Sequence, residues 1–299
     1  VPWQALQAAL RAGSRFVRLG DGTYMPLPAA WLATRARLRE KLKAEENADG
    51  VLAVPCYEAP VLSELVDGTD GFEVDDGWLA FRDRLESFGG IAAAPLPAAF
   101  RGELRPYQQA GLDYLCFLRD HGLHGILADD MGLGKTVQAA ALLASNPAGE
   151  PSLIVAPTSV VANWQAELAR FVPSLRVLVL HGPKRDLAAI SRHDVVITSY
   201  ATARLDLAAH RAITYHTVLL DEAQAIKNAR SQTARAMRRL NARHRLCLTG
   251  TPVENDVQDL WSLFAFLMPG LLGSVDDFRN RYATPIALGE RAPREALKA

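Results

Sequence analysis

Ile126-Leu-Ala-Asp-Asp-Met-Gly-Leu-Gly-Lys-Thr136 is the stretch that decides the fold. Ile126-Leu127-Ala128 reads as the end of a short apolar strand. Gly132 and Gly134 allow a tight turn whose N–H groups point at phosphate oxygens. Lys135 can reach β- and γ-phosphates, and the Thr136 hydroxyl can hold Mg²⁺. Thr136 then opens a helix, and its N-terminal dipole favours an anion. Asp130, Met131, Gly132, Leu133, Gly134, Lys135 and Thr136 are therefore the candidate nucleotide-binding residues. The pattern departs from the usual phosphate loop at one place: Asp129 stands where glycine is expected. A Gly-rich turn with no ligand is the alternative reading.

Thr217-Val-Leu-Leu-Asp-Glu-Ala-Gln224 is an apolar run that ends in paired carboxylates. A strand buried on both faces reads as such a run, and ligand groups sit at its carboxyl end. Asp221 is placed to hold Mg²⁺ through its water shell. Glu222 is placed to orient and deprotonate an attacking water. A strand that ends in a solvated acidic turn is the other reading, and the Lys-Thr loop upstream argues against it.

Other stretches carry a resemblance. They are Leu104-Arg-Pro-Tyr-Gln-Gln109, Asp129-Asp-Met-Gly-Leu-Gly-Lys-Thr136, Val155-Ala-Pro-Thr-Ser-Val-Val-Ala-Asn-Trp164, Thr198-Ser-Tyr200, Asp221-Glu-Ala-Gln224, Ala225-Ile-Lys-Asn228, Leu248-Thr-Gly-Thr-Pro-Val-Glu-Asn255, Asp259-Leu-Trp-Ser-Leu-Phe264 and Phe266-Leu-Met-Pro-Gly-Leu-Leu-Gly273. In this order they resemble the first motor lobe of the Swi/Snf family of ATP-dependent DNA translocases, in helicase superfamily two. Asp129 is usual in that family. Gln224 stands where many relatives carry His, and bacterial members often carry Gln.

The resemblance implies further roles. Arg105 and Gln108 would bind the nucleotide, since a planar amide can pair with an adenine edge; capping of the helix that begins near Pro106 is the plainer reading. Tyr107 reads as core packing. Pro157, Thr158, Ser159 and Asn163 would lie on the DNA backbone, although Ser159 also suits a helix cap. Thr198, Ser199 and Tyr200 resemble a second backbone-contacting motif, and Lys227 and Asn228 follow the acid motif within reach of a phosphate. None of these contacts reads bases, so binding to double-stranded DNA should be sequence-independent and salt-sensitive. Thr249, Gly250 and Thr251 would couple hydrolysis to movement; a simple strand–turn is the alternative. With Lys135, Asp221 and Glu222, Gln224 completes the expected catalytic set, and Thr136 and Asp221 the metal set. Trp164, at helical spacing from Val160 and Leu168, reads as core.

From about residue 101 strands and helices alternate, which predicts a mostly parallel α/β sheet flanked by helices. Candidate strands are Gly125–Ala128, Ser152–Ala156, Arg176–Leu180, Val195–Thr198, Thr217–Asp221 and Arg245–Thr249. Candidate helices are Thr136–Ser145, Val160–Phe171, Lys184–Ile190, Ser231–Leu240 and Val257–Leu267. With the resemblance, this is a RecA-like P-loop lobe over residues 96–299. Residues 1–95 read as a small α+β accessory region without a catalytic constellation. In it, Trp3–Leu10, Trp31–Glu45 and Trp78–Phe88 read as helices, Val51–Val54 as a strand, and Phe16–Leu19 and Thr23–Leu27 as a hairpin. Ala92–Phe100, rich in Ala and Pro, reads as a linker.

The 299 residues carry 49% apolar residues and a formal net charge of zero, a folded chain and not a disordered one. Zero charge hides segregation. Lys227, Arg230, Arg235, Arg238, Arg239, Arg243 and Arg245 form a run without an acid, and Ala44–Phe81 is acidic without Lys or Arg. The basic run is either a DNA surface or a solvated helix face. No apolar run reaches the ~20 residues of a membrane span, and no signal pattern opens the chain. Cys56, Cys116 and Cys247 are scattered as core thiols would be, so a reducing cytoplasmic, nucleoid-associated setting is expected. Val1 in place of Met reads as a partial chain. The family's motor has a second RecA-like lobe that supplies arginine fingers, worth on the order of 10³–10⁵ in rate. No such lobe precedes Ala299, so slow turnover is expected of these residues alone. The other candidates are a different P-loop NTPase, or a non-catalytic module whose N-terminal region binds a protein partner or mimics DNA.

Overall fold

The structure is a computed structural model. It describes residues 16–18, 23–27, 45–46, 52–53, 76–77, 79–80, 83, 88–147, 149–250 and 257–298. The chain divides into two compact units, Val1–Gly89 and Gly90–Ala299.

In the first unit β1 (Phe16–Arg18) pairs antiparallel with β2 (Tyr24–Pro26), with Val17 opposite Met25. These are the two arms of the expected hairpin; its Gly20–Gly22 turn lies outside the described residues. β3 (Glu45–Glu46) pairs antiparallel with β4 (Leu52–Ala53), inside the expected Val51–Val54 strand. Glu45 is thus a strand residue and not the end of a helix. The rest of the Trp31–Glu45 helix and all of Trp3–Leu10 lie outside the described residues. Residues 76, 77, 79, 80 and 83 are helical, near the expected Trp78–Phe88 helix.

The second unit is built on a six-stranded sheet in which each neighbouring pair is parallel. In chain order it runs α1 (Pro106–Asp120), β5 (Gly125–Leu127), α2 (Lys135–Ala144), β6 (Ser152–Ala156), α3 (Val161–Phe171), β7 (Val177–Leu180), β8 (Val195–Ser199), α4 (Tyr200–Leu205), α5 (Leu207–Arg211), β9 (Thr214–Asp221), α6 (Gln232–Arg238), β10 (Asn241–Leu248) and α7 (Val257–Leu267). Short helices α8 (Val275–Phe278), α9 (Thr284–Ala287) and α10 (Arg291–Lys298) follow. The spatial order of the strands is β5-β10-β9-β6-β8-β7. This is the RecA-like α/β lobe that the alternation of elements predicts.

Apolar residues alternate between the two faces of the buried strands. Ile154 and Ala156 of β6 join Leu112, Leu142, Trp164 and Leu168 in one core. Leu153 and Val155 join Tyr200, Met237, Leu263 and Phe266 in the other. Sheet strands covered on both faces need apolar residues at every position, which explains the runs in the sequence. Phe266 belongs to this packing; Tyr107, expected in the core, does not, being 38% exposed. Ala92–Phe100 is held on the lobe: the Ala94 N–H donates to Asp113 Oδ1 (2.9 Å) and Phe100 stacks on Phe171 (5.6 Å).

Two expectations need correction. Lys184–Ile190 is not an α-helix; a 3₁₀ turn runs over Leu187–Arg192 instead. The Arg185 guanidinium reaches Asp206 (2.6 Å) and the Gly182 carbonyl, so this segment is pinned to its neighbours and not to its own next turn. Strands β9 and β10 begin earlier than expected, at Thr214 and Asn241. Their first residues lack an apolar run but pair in register, Asn241 with Thr214, Ala242 with Tyr215 and His244 with Thr217.

Candidate functional site

β5, β10 and β9 are neighbours, so the loops that follow them meet at one edge of the sheet. Two further loops, after β6 and β8, continue along that edge. Ligand sites of open α/β sheets lie at this carboxyl side.

The loop after β5 turns at Gly132 (φ 85°) and Gly134 (φ 83°), left-handed values that favour glycine. Gly134 also caps α2, and a Cβ there would lie 2.5 Å from Gln108 Nε2. Lys135 folds back over the loop: its Nζ donates to the carbonyls of Asp129 (2.5 Å) and Asp130 (3.0 Å). Asp129 is fixed by Gln138, whose Nε2 donates to Oδ2 at 2.8 Å. This accounts for an aspartate where a phosphate loop usually has glycine, since its side chain fastens the loop to α2. Met131 and Leu133 are exposed at the loop tip, and Thr136 is half-buried in the first turn of α2.

Gln108 faces this loop. Its Oε1 accepts the Arg105 N–H (2.9 Å) and its Nε2 donates to the Leu133 carbonyl (3.1 Å). The amide therefore caps α1 and ties it to the loop. The Arg105 side chain is exposed.

Asp221 ends β9. Its Oδ2 accepts from Trp164 Nε1 (2.7 Å), its Oδ1 from the Glu222 N–H (2.9 Å), and its carbonyl from the Tyr200 hydroxyl (2.8 Å). Burial pushes its pKa above the usual carboxylate range, against the two N–H donors and the Lys135 ammonium, while the charge of Glu222 adds to the rise. Glu222 sits in the left-handed region (φ 48°, ψ 56°), the sole non-glycine with positive φ among the described residues. Strain of this kind, ~1–3 kcal/mol, persists where surroundings enforce it, and functional sites are where it gathers.

From Glu222 a chain of hydrogen bonds crosses to β10. Gln224 Nε2 donates to Glu222 Oε2 (2.6 Å), and Gln224 Oε1 accepts from Thr249 Oγ1 (3.1 Å). The Thr249 N–H donates to the Leu127 carbonyl (3.2 Å), which returns the path to β5. A Cβ on Gly250 would lie 3.1 Å from Met131 Cγ, so the β10 loop passes close to the phosphate loop. Thr251 lies outside the described residues.

The remaining candidates separate. After β6, Pro157 opens a 3₁₀ turn over Thr158–Val160 that leads into α3, and Thr158, Ser159 and Asn163 are exposed. Ser159 does not cap α3; Val160 is its capping residue. Trp164 is 1% exposed, in the core as expected. After β8, by contrast, Thr198, Ser199 and Tyr200 are buried. Thr198 Oγ1 donates to the Leu180 carbonyl (3.1 Å), and Ser199 Oγ accepts the Thr202 N–H (3.2 Å) to cap α4. Their side chains are not surface groups, because they build the strand–helix joint. Lys227 pairs with Asp259 (3.6 Å) in a mostly buried setting, while Asn228 is exposed.

The basic run is equally divided in use. Arg238 donates to the Ala229 carbonyl and Arg245 to those of Phe266 and Leu240, which are structural tasks. Arg243 pairs with Glu150 (2.7 Å). Arg230, Arg235 and Arg239 are exposed. Sequence reasoning missed Gln138 and the bond of Trp164. The one available signal for the latter is general: a buried indole N–H seeks an acceptor.

A family model described as SNF2-related domain matches residues 107–299. YwqA of Bacillus subtilis (strain 168), named as an ATP-dependent helicase/translocase, is 47% identical over 197 residues, covering 63% of this chain and 21% of YwqA. The TATA-binding protein-associated factor MOT1 of Saccharomyces cerevisiae is 44% identical over 211 residues, 64% of this chain and 11% of MOT1. The Sulfolobus solfataricus SWI2/SNF2 ATPase core in complex with dsDNA matches at 38% identity with a TM-score of 0.64, over 69% of this chain and 44% of that one. The chain therefore spans about a fifth or less of these two curated relatives.

Proposed function

The chain belongs to the SNF2-related domain family, in helicase superfamily two, and on that premise we propose that it is the ATP-binding lobe of a DNA-dependent ATPase that moves along double-stranded DNA. The observation that carries this reading is the linked series Thr249–Gln224–Glu222, beside Asp221, just past the carboxyl ends of β9 and β10, with β10 next to the strand that leads into the phosphate loop.

ATP is the substrate and Mg²⁺ the implied metal. A threonine hydroxyl and an aspartate carboxylate, with water at the other positions, suit Mg²⁺. Thr136 and Asp221 would hold it, and it would supply charge neutralisation at the phosphates. The Lys135 ammonium now rests on two carbonyl oxygens, and phosphate oxygens are stronger acceptors for it. Loop N–H groups from Asp130 to Lys135 cradle the phosphates, and Gln108 with Arg105 holds the base side. Glu222 takes a proton from the attacking water, giving ADP and phosphate. Gln224 orients Glu222 and connects it to Thr249, with Gly250 and Thr251 in the same coupling loop.

DNA lies along Pro157 and the exposed Thr158, Ser159, Asn163 and Asn228, held by backbone contact without base readout. A second RecA-like lobe of the whole motor faces the site and completes catalysis. Residues 1–95 form an accessory region ahead of the motor at 96–299. Its acidic Ala44–Phe81 stretch meets a protein partner or competes with DNA. Among the described residues no helix is long and apolar enough to cross a membrane.

The test is phosphate release with and without double-stranded DNA, beside Lys135→Ala. Release that rises with DNA and is lost in the variant supports the reading, as does Mg²⁺-dependent ATP binding lost in the variant when turnover needs the second lobe. Release that survives in Lys135→Ala overturns it.

A further inference from the structure

Asp221 is gripped from two sides by side chains outside the loops that hold the nucleotide. The Trp164 indole donates to Oδ2 at 2.7 Å and the Tyr200 hydroxyl donates to the backbone carbonyl at 2.8 Å. Both donors are buried, Trp164 at 1% and Tyr200 at 8% exposure. Neither has a surface on which a base could stack.

Trp164 lies in the first turn of α3, and Thr158, Ser159 and Asn163 are exposed on the turn immediately before and around it. A helix turn moves as a unit. Pressure on those exposed groups is therefore delivered to the indole, and through one short hydrogen bond to the Asp221 carboxylate. Tyr200 opens α4 directly after β8 and fixes the backbone from which that carboxylate hangs. The carboxylate Oδ1 is held by the Glu222 N–H, so the indole decides where Oδ2 points.

We propose that Trp164, with Tyr200 behind it, positions the Asp221 carboxylate for Mg²⁺, so that contact of the Thr158–Asn163 turn with DNA is felt at the metal site. This rests on the ATPase reading above. Trp164 and Tyr200 are positioning residues: both are buried and act through Asp221. Outer-shell donors of this kind commonly set metal affinity by ~10–100-fold.

The experiment is a Mg²⁺ titration of N-methylanthraniloyl-ATP binding, with and without double-stranded DNA. The proteins are the wild type, Trp164→Phe, Tyr200→Phe and Asp221→Asn. Trp164→Phe keeps an apolar ring and removes the N–H. Its Mg²⁺ midpoint should rise about tenfold, with binding of Mg²⁺-free nucleotide close to wild type and a thermal midpoint lowered by the lost buried hydrogen bond. DNA should lower the midpoint in the wild type and leave it unmoved in Trp164→Phe. Tyr200→Phe should shift it in the same direction by less, and carries the test should Trp164→Phe fail to fold. A wild-type midpoint in a folded Trp164→Phe or, failing that, in Tyr200→Phe overturns the positioning. A wild-type midpoint that DNA does not move overturns the link to the Thr158–Asn163 turn. Nucleotide binding that is Mg²⁺-independent in the wild type and unchanged in Asp221→Asn sinks the ATPase reading itself, a separate outcome.

Discussion

Gln224 donates to Glu222 at 2.6 Å while its own carbonyl oxygen accepts from Thr249 at 3.1 Å. One amide thus joins the strand that carries the acids to the strand that carries the coupling loop. Its two ends have opposite hydrogen-bond character, and each is used. Gln224→Ala removes both bonds; Thr249→Val removes only the far one. We expect DNA-stimulated kcat to fall by ~10²-fold in Gln224→Ala, with KM for ATP little changed, because orientation of a general base acts on the chemical step. Thr249→Val should keep the ATP affinity and lose part of the stimulation by DNA. Steady-state phosphate release across ATP and DNA concentrations separates the two.

Glu222 occupies a left-handed conformation, φ 48°, that costs a non-glycine residue ~1–3 kcal/mol. Glu222→Gly relieves this strain but removes the carboxylate. Glu222→Gln keeps the strain and the hydrogen-bonding shape and loses only the base. Both variants should be inactive. Denaturant unfolding should show Glu222→Gly more stable than Glu222→Gln by about 1 kcal/mol, the larger unfolded-state entropy of glycine taking back part of the gain. Equal stability, or the reverse order, would mean that the surroundings and not the backbone fix this residue.

Much of the lobe was legible because the physics is local. A strand buried on both faces must be an apolar run, so β6, β8 and the second half of β9 stand out. The loop at Gly132–Thr136 has a composition that phosphate binding requires. The first halves of β9 and β10 were not legible, since Asn241 pairs with Thr214, Ala242 with Tyr215 and His244 with Thr217 across the sheet. The segment Lys184–Ile190 has helical periodicity, but the ion pair of Arg185 with Asp206 is a contact 21 residues away. Thr198 and Ser199 look like surface hydroxyls in sequence and are structural in the fold. Trp164 was legible as core, while its hydrogen bond to Asp221, 57 residues on, was not.

The exposure difference between the two candidate DNA loops yields a contrast. Thr158 and Asn163 are exposed, and Thr198 is buried on the Leu180 carbonyl. Thr158→Ala and Asn163→Ala should each weaken double-stranded DNA binding several-fold, equally on unrelated sequences, since phosphate contacts carry no base information. Thr198→Val should leave DNA affinity unchanged and cost stability of ~1 kcal/mol for the lost buried hydrogen bond. Fluorescence anisotropy with two duplexes of different sequence, at two salt concentrations, tests both arms. A Thr198→Val protein that folds normally but binds DNA poorly would return that loop to the DNA surface.

His244 gives the pH dependence. It is 2% exposed, in the middle of β10. The His124 ring packs on it at 5.7 Å. Burial foremost, then His124, His216 and Arg119, push its pKa down to about 3, and the Leu123 backbone offsets this only in part. In the unfolded chain it titrates near 6.5. The sign follows: below about pH 6.5 the unfolded state takes the proton and the folded state does not, so stability is present above that pH and lost as pH falls towards 3. The slope is ~1.4 kcal/mol per pH unit for one fully shifted group. Between pH 7 and 5 His244 alone should therefore cost on the order of 2 kcal/mol. His244→Phe, which cannot take a proton, should lose correspondingly less over that interval in urea unfolding. His124, lowered to about 4 by burial and Arg245 but partly exposed, should contribute in the same direction with a smaller effect. Parallel pH profiles for wild type and His244→Phe would place the acid sensitivity elsewhere in the fold.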